Sequence, residues 1–164
     1  NLTQAILSGA ILSGANLTQA ILSGADLTGA RLSRAKLSKA DLTGAKLTRA
    51  SLSEADLTGA DLTGAKLPGA KLTQAKLTRA KLTGADLFWA DMTDADLTGA
   101  DMTGADMTSA NLASTNLASV TWDVRTTVWP EALADRVRAG SDEVRPGVYR
   151  VRGGSSPDRS GVLV

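Results

Sequence analysis

The chain of 164 residues contains no cysteine and no histidine, and aromatic side chains make up 3% of it. Without cysteine there are no disulfides, no thiolate nucleophile and no soft metal ligand. Without histidine the commonest general base and metal ligand is gone. One Phe, one Tyr and three Trp cannot build a core of interlocked rings. No apolar run approaches the roughly 20 residues that a membrane-spanning helix needs. There is neither a glycine-rich phosphate loop nor a Gly-Gly-x-Gly-x-Asp calcium repeat. These absences lead us to expect no enzyme, no cofactor and no metal, and the missing cysteine fits a reducing compartment.

What the chain does have is a five-residue phrase, Asn/Asp/Lys-Leu-Thr/Ser-X-Ala, written 24 times over residues 1–120. Leucine recurs from Leu2 to Leu117, replaced only by Met92, Met102 and Met107. Alanine recurs from Ala5 to Ala110 and gives way at Thr115 and Val120. A period of five suits neither regular structure. On an α-helix at about 100° per residue the leucines would spread around the whole cylinder. On a straight strand an odd period sends successive leucines to opposite faces.

Both conflicts vanish if the chain turns a corner once per repeat. Leucine and the alanine two residues before it, such as Ala5 and Leu7, then point inward, and the other three positions point out. Repeats that turn steadily build a coil, and coils stack as parallel strands about 4.8 Å apart. The fourth residue is glycine in 11 repeats, as expected where a tight turn needs positive φ.

The register A(D/N)LXX, intact in Ala25-Asp26-Leu27-Thr28-Gly29, Ala55-Asp56-Leu57-Thr58-Gly59 and Ala95-Asp96-Leu97-Thr98-Gly99, resembles the pentapeptide-repeat proteins. The resemblance implies an all-β fold: a right-handed quadrilateral parallel β-helix with four repeats per coil, hence about six coils. It also implies a bacterial, cytoplasmic protein. The charges ahead of the leucines bear on the number of sides. A spacing of 20 gives eight opposite-sign and three like-sign pairs, including Asp61 with Lys81, Lys66 with Asp86, Lys71 with Asp91 and Lys76 with Asp96. A spacing of 15 gives six of each, and 25 scores as well as 20. Charge thus argues against a triangle and leaves square and pentagon open, while Pro68 and Phe88 would stack at 20.

Net charge is +1, but it is zoned. Residues 1–25 carry none, residues 26–80 carry ten basic and five acidic groups, and residues 81–110 carry one basic and six acidic groups. The resemblance raises the prospect of binding a type II topoisomerase, since family members bind DNA gyrase or topoisomerase IV by imitating duplex DNA. That role needs negative charge along most of a rod. Only the zone of Asp86, Asp91, Asp94, Asp96, Asp101 and Asp106 qualifies, and Lys36, Lys46, Lys66, Lys71 and Lys76 stand where carboxylates are wanted. Otherwise alternating charges give weak cross-strand pairs and solubility. Direct nucleic-acid binding is not expected from a basic zone without interleaved aromatics. Successive aspartates fall on different sides of the coil, so they cannot converge on a reacting atom. A threonine rank for ice binding (Thr3, Ser23, Thr43, Thr63, Thr83, Thr103) is spoiled by the charges beside it.

Departures from the phrase mark candidate surfaces. Phe88 and Trp89 put two large aromatics outside, either under a C-terminal tail folded back over them or as contact anchors. Ile6, Ile11 and Ile21 stand where later repeats carry charge, an apolar end that calls for a partner or self-association. Asn1 enters in mid-pattern, so we expect a chain trimmed or excised from something longer. Residues 121–164 abandon the period and read as a cap. Trp122, Val124, Val128 and Trp129 form an apolar plug. Pro130 opens a short helix in which Leu133, Val137 and Ala134 share a face until Gly140 ends it. Val148–Val151 makes one strand, Gly153 to Gly161 a flexible tether, and Val162 to Val164 a frayed end. This ending is similar to extensions in actinobacterial family members. By that resemblance, Trp129 to Val137 is a candidate element for pairing two rods. The sequence thus predicts a repeat domain over 1–120 and a cap over 121–164. Its function is that of a non-enzymatic scaffold or protein-interaction rod, with the topoisomerase-binding mimic as the alternative.

Overall fold

The computed structural model describes residues 1–153, and its geometry begins with the turn. In all 24 quintets the amide of the fifth residue donates to the carbonyl of the second, from Ala5 to Leu2 (3.0 Å) through to Val120 to Leu117 (3.1 Å). The fourth residue takes positive φ every time: the 11 glycines lie between +63° and +71°, and the 13 other residues between +55° and +60°. This is the left-handed third position of a type II-like β-turn. A side chain there costs about 1 kcal/mol, so the 13 non-glycines are held in place by what surrounds them.

What surrounds them is a ladder. The residue before each leucine bridges in parallel to the one 20 positions on, from Ile6 with Asp26 to Asp101 with Thr121. Twenty residues therefore make one coil. Within a quintet such as 26–30, the first amide donates down to Ala5 O (2.9 Å), the second up to Lys46 O (2.7 Å), and the fourth up to Thr48 O (2.9 Å). Together with the turn bond, four of five amides are satisfied by backbone in each interior quintet. From Leu22 to Leu117 every leucine or methionine of the rank is buried, and so are the alanines between them. Large and small side chains thus alternate within the core, and layers one coil apart interlock. In the first coil, where nothing lies beneath, Leu7, Leu12 and Leu17 are half-buried and Leu2 is exposed.

Thr115, which breaks the alanine rank, is fully buried and satisfies its hydroxyl by donating to Met92 O (2.8 Å). The ladder's last bridge, Asp106 with Val128, spans 22 residues. The extra residues lie in a loop stitched down by Thr127, whose hydroxyl donates to Met102 O (3.0 Å).

Beyond the quintets come β1 (Thr121–Asp123), α1 (Glu131–Ala139), β2 (Ser141–Arg145) and β3 (Val148–Val151). The strands form one antiparallel sheet in the order β1, β3, β2. The C-terminal end of its central strand β3 meets the top coil, with Ser119 donating to Val151 O (3.0 Å) and Val151 donating to Val120 O (2.9 Å). Trp122 stacks on Tyr149 (centroids 5.1 Å) and meets Trp129 edge-on (6.0 Å, 89°). Pro130 precedes α1, Gly140 follows it, and Leu133 and Val137 are its buried residues.

Two expectations for this segment need correction. Val128 is not part of an apolar plug; it takes an outward ladder position and is exposed. The strand β2 is not foreseen by the pattern, because Ser-Asp-Glu-Val-Arg has no apolar alternation and lies almost wholly exposed at the sheet edge. Of the tether, only Gly153 lies within the described residues, and the frayed end at Val162 to Val164 lies outside them.

Two substitutions separate core from turn. Leu57→Ala, in mid-rod and fully buried, is expected to lose about 2–5 kcal/mol. Gly64→Ala, with φ +64° and nothing within 4 Å of a new Cβ, is expected to lose only about 1 kcal/mol. Urea denaturation followed by circular dichroism checks both, and equal losses would contradict this division of labour.

Candidate interaction surfaces

The outward side chains have two kinds of work, and the first is structural. Wherever Asp or Asn precedes the leucine, its Oδ1 accepts the amide of the residue two positions on, at 2.9 Å for Asp106 and Thr108 to 3.2 Å for Asn16 and Thr18. This local bond, an Asx turn, satisfies the fifth amide of the quintet. Where threonine is the partner its hydroxyl often donates as well, as Thr93 does to Asp91 (2.7 Å) and Thr98 to Asp96 (2.6 Å). The second carboxylate oxygen reaches down to the coil below, where the Thr73 hydroxyl donates to Asp91 (3.2 Å) and Thr78 to Asp96 (3.1 Å).

These bonds set the acidity. The Thr28 and Thr43 amides, then their hydroxyls, hold Asp26 and Asp41 below the usual carboxylate range. The Thr93 hydroxyl does the same for Asp91. At Asp56, Asp61 and Asp96 partial burial is the largest influence and pushes up, but the hydroxyl and amide of Thr58, Thr63 and Thr98 together outweigh it.

Cross-coil ion pairing is sparser than the charge pattern suggests. Lys81 donates to Asp61 at 3.2 Å. Among the described residues Lys66 with Asp86, Lys71 with Asp91 and Lys76 with Asp96 stack in the ladder without closing to an ion pair. The better pair is Arg34 with Glu54, bidentate at 2.9 and 3.0 Å. Both belong to the fourth, turn-forming position, outside the rank of charges that precedes the leucines.

Phe88 and Trp89 stand exposed and stack on each other (centroids 5.9 Å, interplanar 11°). Among the described residues no part of the C-terminal segment covers them; they line a shallow groove of about 200 Å³ with Thr48, Arg49, Pro68 and Gly69. Ile6, Ile11 and Ile21 are exposed around the first coil, the first at 86%. Ile6 and Ile11 lie in the first coil and Ile21 opens the second, over Leu2, whose amide donates to Ile21 O (2.7 Å); the first downward bond from a residue before the leucine is that of Asp26 to Ala5. Trp122, Trp129, Leu133 and Val137 are buried. Asp86, Asp91, Asp96 and Asp101 are consecutive ladder residues, one in each rank, with Asp106 above Asp86. Together with Asp94 in its turn, they ring the rod and do not line one side of it.

Known proteins carry the same repeat. A family model described as pentapeptide repeats matches residues 1–34, 25–64, 55–94 and 90–120, in 8 copies. The chain belongs to the pentapeptide repeat family. Among solved structures it is similar to HetL, involved in heterocyst differentiation regulation in the cyanobacterium Nostoc sp. strain PCC 7120. Identity is 35% and the TM-score 0.58, over 70% of this chain and 52% of HetL, so the chain spans about half the length of that relative. It is also similar to a pentapeptide repeat protein of the Arabidopsis thaliana thylakoid lumen, at 29% identity and TM-score 0.52 over 66% of this chain and 69% of the other. QnrB1, a plasmid-mediated fluoroquinolone resistance protein, matches at 19% identity and TM-score 0.39 over 70% of this chain and 68% of its own. No curated protein sequence matches. Among the described residues no helix is long and apolar enough to cross a membrane.

For this pentapeptide repeat chain the Asx bonds fix the sign of the acid response. A carboxyl lowered in the folded state contributes stability that is complete above its unfolded value and is lost as pH falls through the folded one. The lowered aspartates therefore place the loss below about pH 4. Thermal unfolding should be flat from about pH 7 to 5 and fall steeply below about 4. Replacing Asp56, Asp61, Asp91 and Asp96 together by Asn keeps the Oδ1 acceptor, as Asn111 and Asn116 already do, and should shrink that fall. An unchanged acid limb would refute the assignment.

Proposed function

We propose that this chain is a non-enzymatic rod that serves as a scaffold or protein-interaction module. On this reading residues 1–120 form a right-handed, four-sided β-helix of about six coils, and residues 121–164 cap it. The observation that supports it is the exposed Phe88 and Trp89 pair over the groove, placed on a face whose backbone the ladder makes rigid. Aromatic side chains left outside on a stiff support are the usual core of a contact surface. Membership of the pentapeptide repeat family agrees with such a role. The ringed arrangement of Asp86, Asp91, Asp94, Asp96, Asp101 and Asp106 offers no long line of negative charge, so a duplex-like profile finds little support.

The test is affinity capture from cells of the source organism with the full chain as bait, joined to a supercoiling assay with purified gyrase. The scaffold reading expects reproducible retention of a protein other than a topoisomerase, with supercoiling unaffected over a wide concentration range. Dose-dependent inhibition or protection of gyrase would replace it with the topoisomerase-binding reading. Recovery of no protein at all would count against both.

A further inference from the structure

We propose that the groove over Gly69 receives an acidic segment of a protein partner, one aromatic or large aliphatic side chain of which sits between Arg49 and Trp89. The proposal rests on the scaffold reading above and gives it a ligand chemistry. Gly29, Arg49, Gly69, Trp89 and Ser109 share one register, each 20 residues from the next. Coils about 4.8 Å apart put Arg49 and Trp89 roughly 10 Å apart along the rod, with a glycine between them. A Cβ at Gly69 would touch Arg49 Cγ at 3.6 Å and no atom of Trp89 within 4 Å, so the Arg49 stem leans over the glycine and the open slot lies between that stem and the indole. The groove's volume of about 200 Å³ accommodates one aromatic or large aliphatic side chain, in contact with the indole on one side and the Arg49 stem on the other. Pro68 and Phe88 supply the adjoining apolar wall.

Trp89 sharpens the case. It is 67% exposed while its backbone sits at φ +57°, a conformation costly for a bulky residue. Apart from the stack on Phe88 it gains little from the described residues in return. A partner side chain in the slot would bury the indole and repay that cost.

Charge selects the partner. Lys46 and Lys66 stack directly in the ladder on this face, and neither closes an ion pair among the described residues. The contact between these like charges is destabilising, offset in part by Asp26 below and Asp86 above, and with Arg49 they flank the lower half of the groove. Carboxylates on the incoming segment would relieve that repulsion. A nucleic-acid strand fits less well, because Asp26 below and Asp86 and Asp106 above continue the same rank and would repel phosphates on both sides. A short peptide can set its apolar side chain against Phe88 and Trp89 and keep its carboxylates on the Lys46, Lys66 and Arg49 side, away from Asp86.

The experiment is fluorescence anisotropy on the full chain with a labelled pentapeptide, Glu-Glu-Phe-Gly-Gly. Three competitors are titrated beside it: the same peptide with Lys for Glu, with Ala for Phe, and a ten-nucleotide oligo-dT. Trp89→Ala and Arg49→Glu remove the two walls. Gly69→Gln fills the slot without changing charge, and the fold already carries Gln74 at this position of its own quintet with φ +58°. Circular dichroism melts confirm folding of each variant. The acidic Phe peptide should bind, weaken with salt, and lose about tenfold or more in affinity with each variant and with either peptide change. No binding, equal binding by Gly69→Gln, or tighter binding of oligo-dT would overturn the proposal. If the peptide fails while cellular capture persists and is indifferent to Trp89→Ala, the groove is wrong and the scaffold reading stands. If capture also fails, both fall.

Discussion

The whole rod depends on a backbone conformation repeated every five residues: a β-turn whose fourth residue is left-handed. That turn resets the direction of the chain, so the next leucine points to the same axis as the last and the next rung lands over the previous one. Only 11 of the 24 positions offer the glycine that accepts such φ freely. The remaining 13 are tolerable because the position is over-determined. Each such turn is closed by its own amide bond, and ten of the 13 are also bound to the coil above through the fourth amide. Local strain of about 1 kcal/mol per non-glycine is set against ladder bonds and a leucine whose burial stabilises by about 1.5–3 kcal/mol. Burial and hydrogen bonding outweigh the strain in every interior quintet, and the fold is free to use the turn position for other ends.

It does so. Arg34 with Glu54 joins two coils from turn positions, and Arg49, Gly69 and Trp89 shape a groove with aromatic walls on the quintet faces. The positions before the leucines are less free, since Asp and Asn there complete the hydrogen bonding of their own quintet. Lysine, arginine, serine or isoleucine at the same place gives up that bond. Charge in this chain is therefore partly a by-product of backbone accounting, and an acidic zone is weak evidence for a negative partner-facing surface. Asp91 and Asp96 show this most clearly, because threonines in two coils already engage their oxygens.

Much of this was legible in the residues. A period of five in Leu and Ala demands a corner per repeat, and the glycines mark where that corner lies. The buried rank, the parallel stacking and the family follow from the same pattern. Less legible was everything that depends on which outward groups meet. The Asx bond leaves a signal, because Asp or Asn followed two residues later by Thr or Ser recurs throughout, but the charge of the same residues masks it. The Arg34–Glu54 pair is hidden for a similar reason. Beyond residue 120 the signals thin out. The helix announces itself through Pro130, Gly140 and the spacing of Leu133 and Val137, whereas β2 is a polar edge strand held by its neighbour and not by its own pattern. Val128 looks apolar and interior, yet the ladder's register, not hydrophobicity, decides its place.

The two ends of the rod pose the same physical problem and meet it differently. A parallel ladder leaves unpaired amides and carbonyls at each terminus, together with the open core between them. At the top, β3 supplies the missing partners to Ser119 and Val120, and Trp122, Trp129 and Leu133 close over the apolar interior. At the bottom the described residues supply nothing comparable. Leu7, Leu12 and Leu17 are only half-buried, the amides of Ile6, Ile11 and Asn16 have no lower rung among the described residues, and three isoleucines replace the charges that would discourage association. Cohesion in a solenoid is the sum of contacts between neighbouring coils, so an interior coil, with a neighbour on each side, is the firmest place from which to present side chains. The groove at coils 3 to 5 has that support, with coils below and above it joined by the ladder.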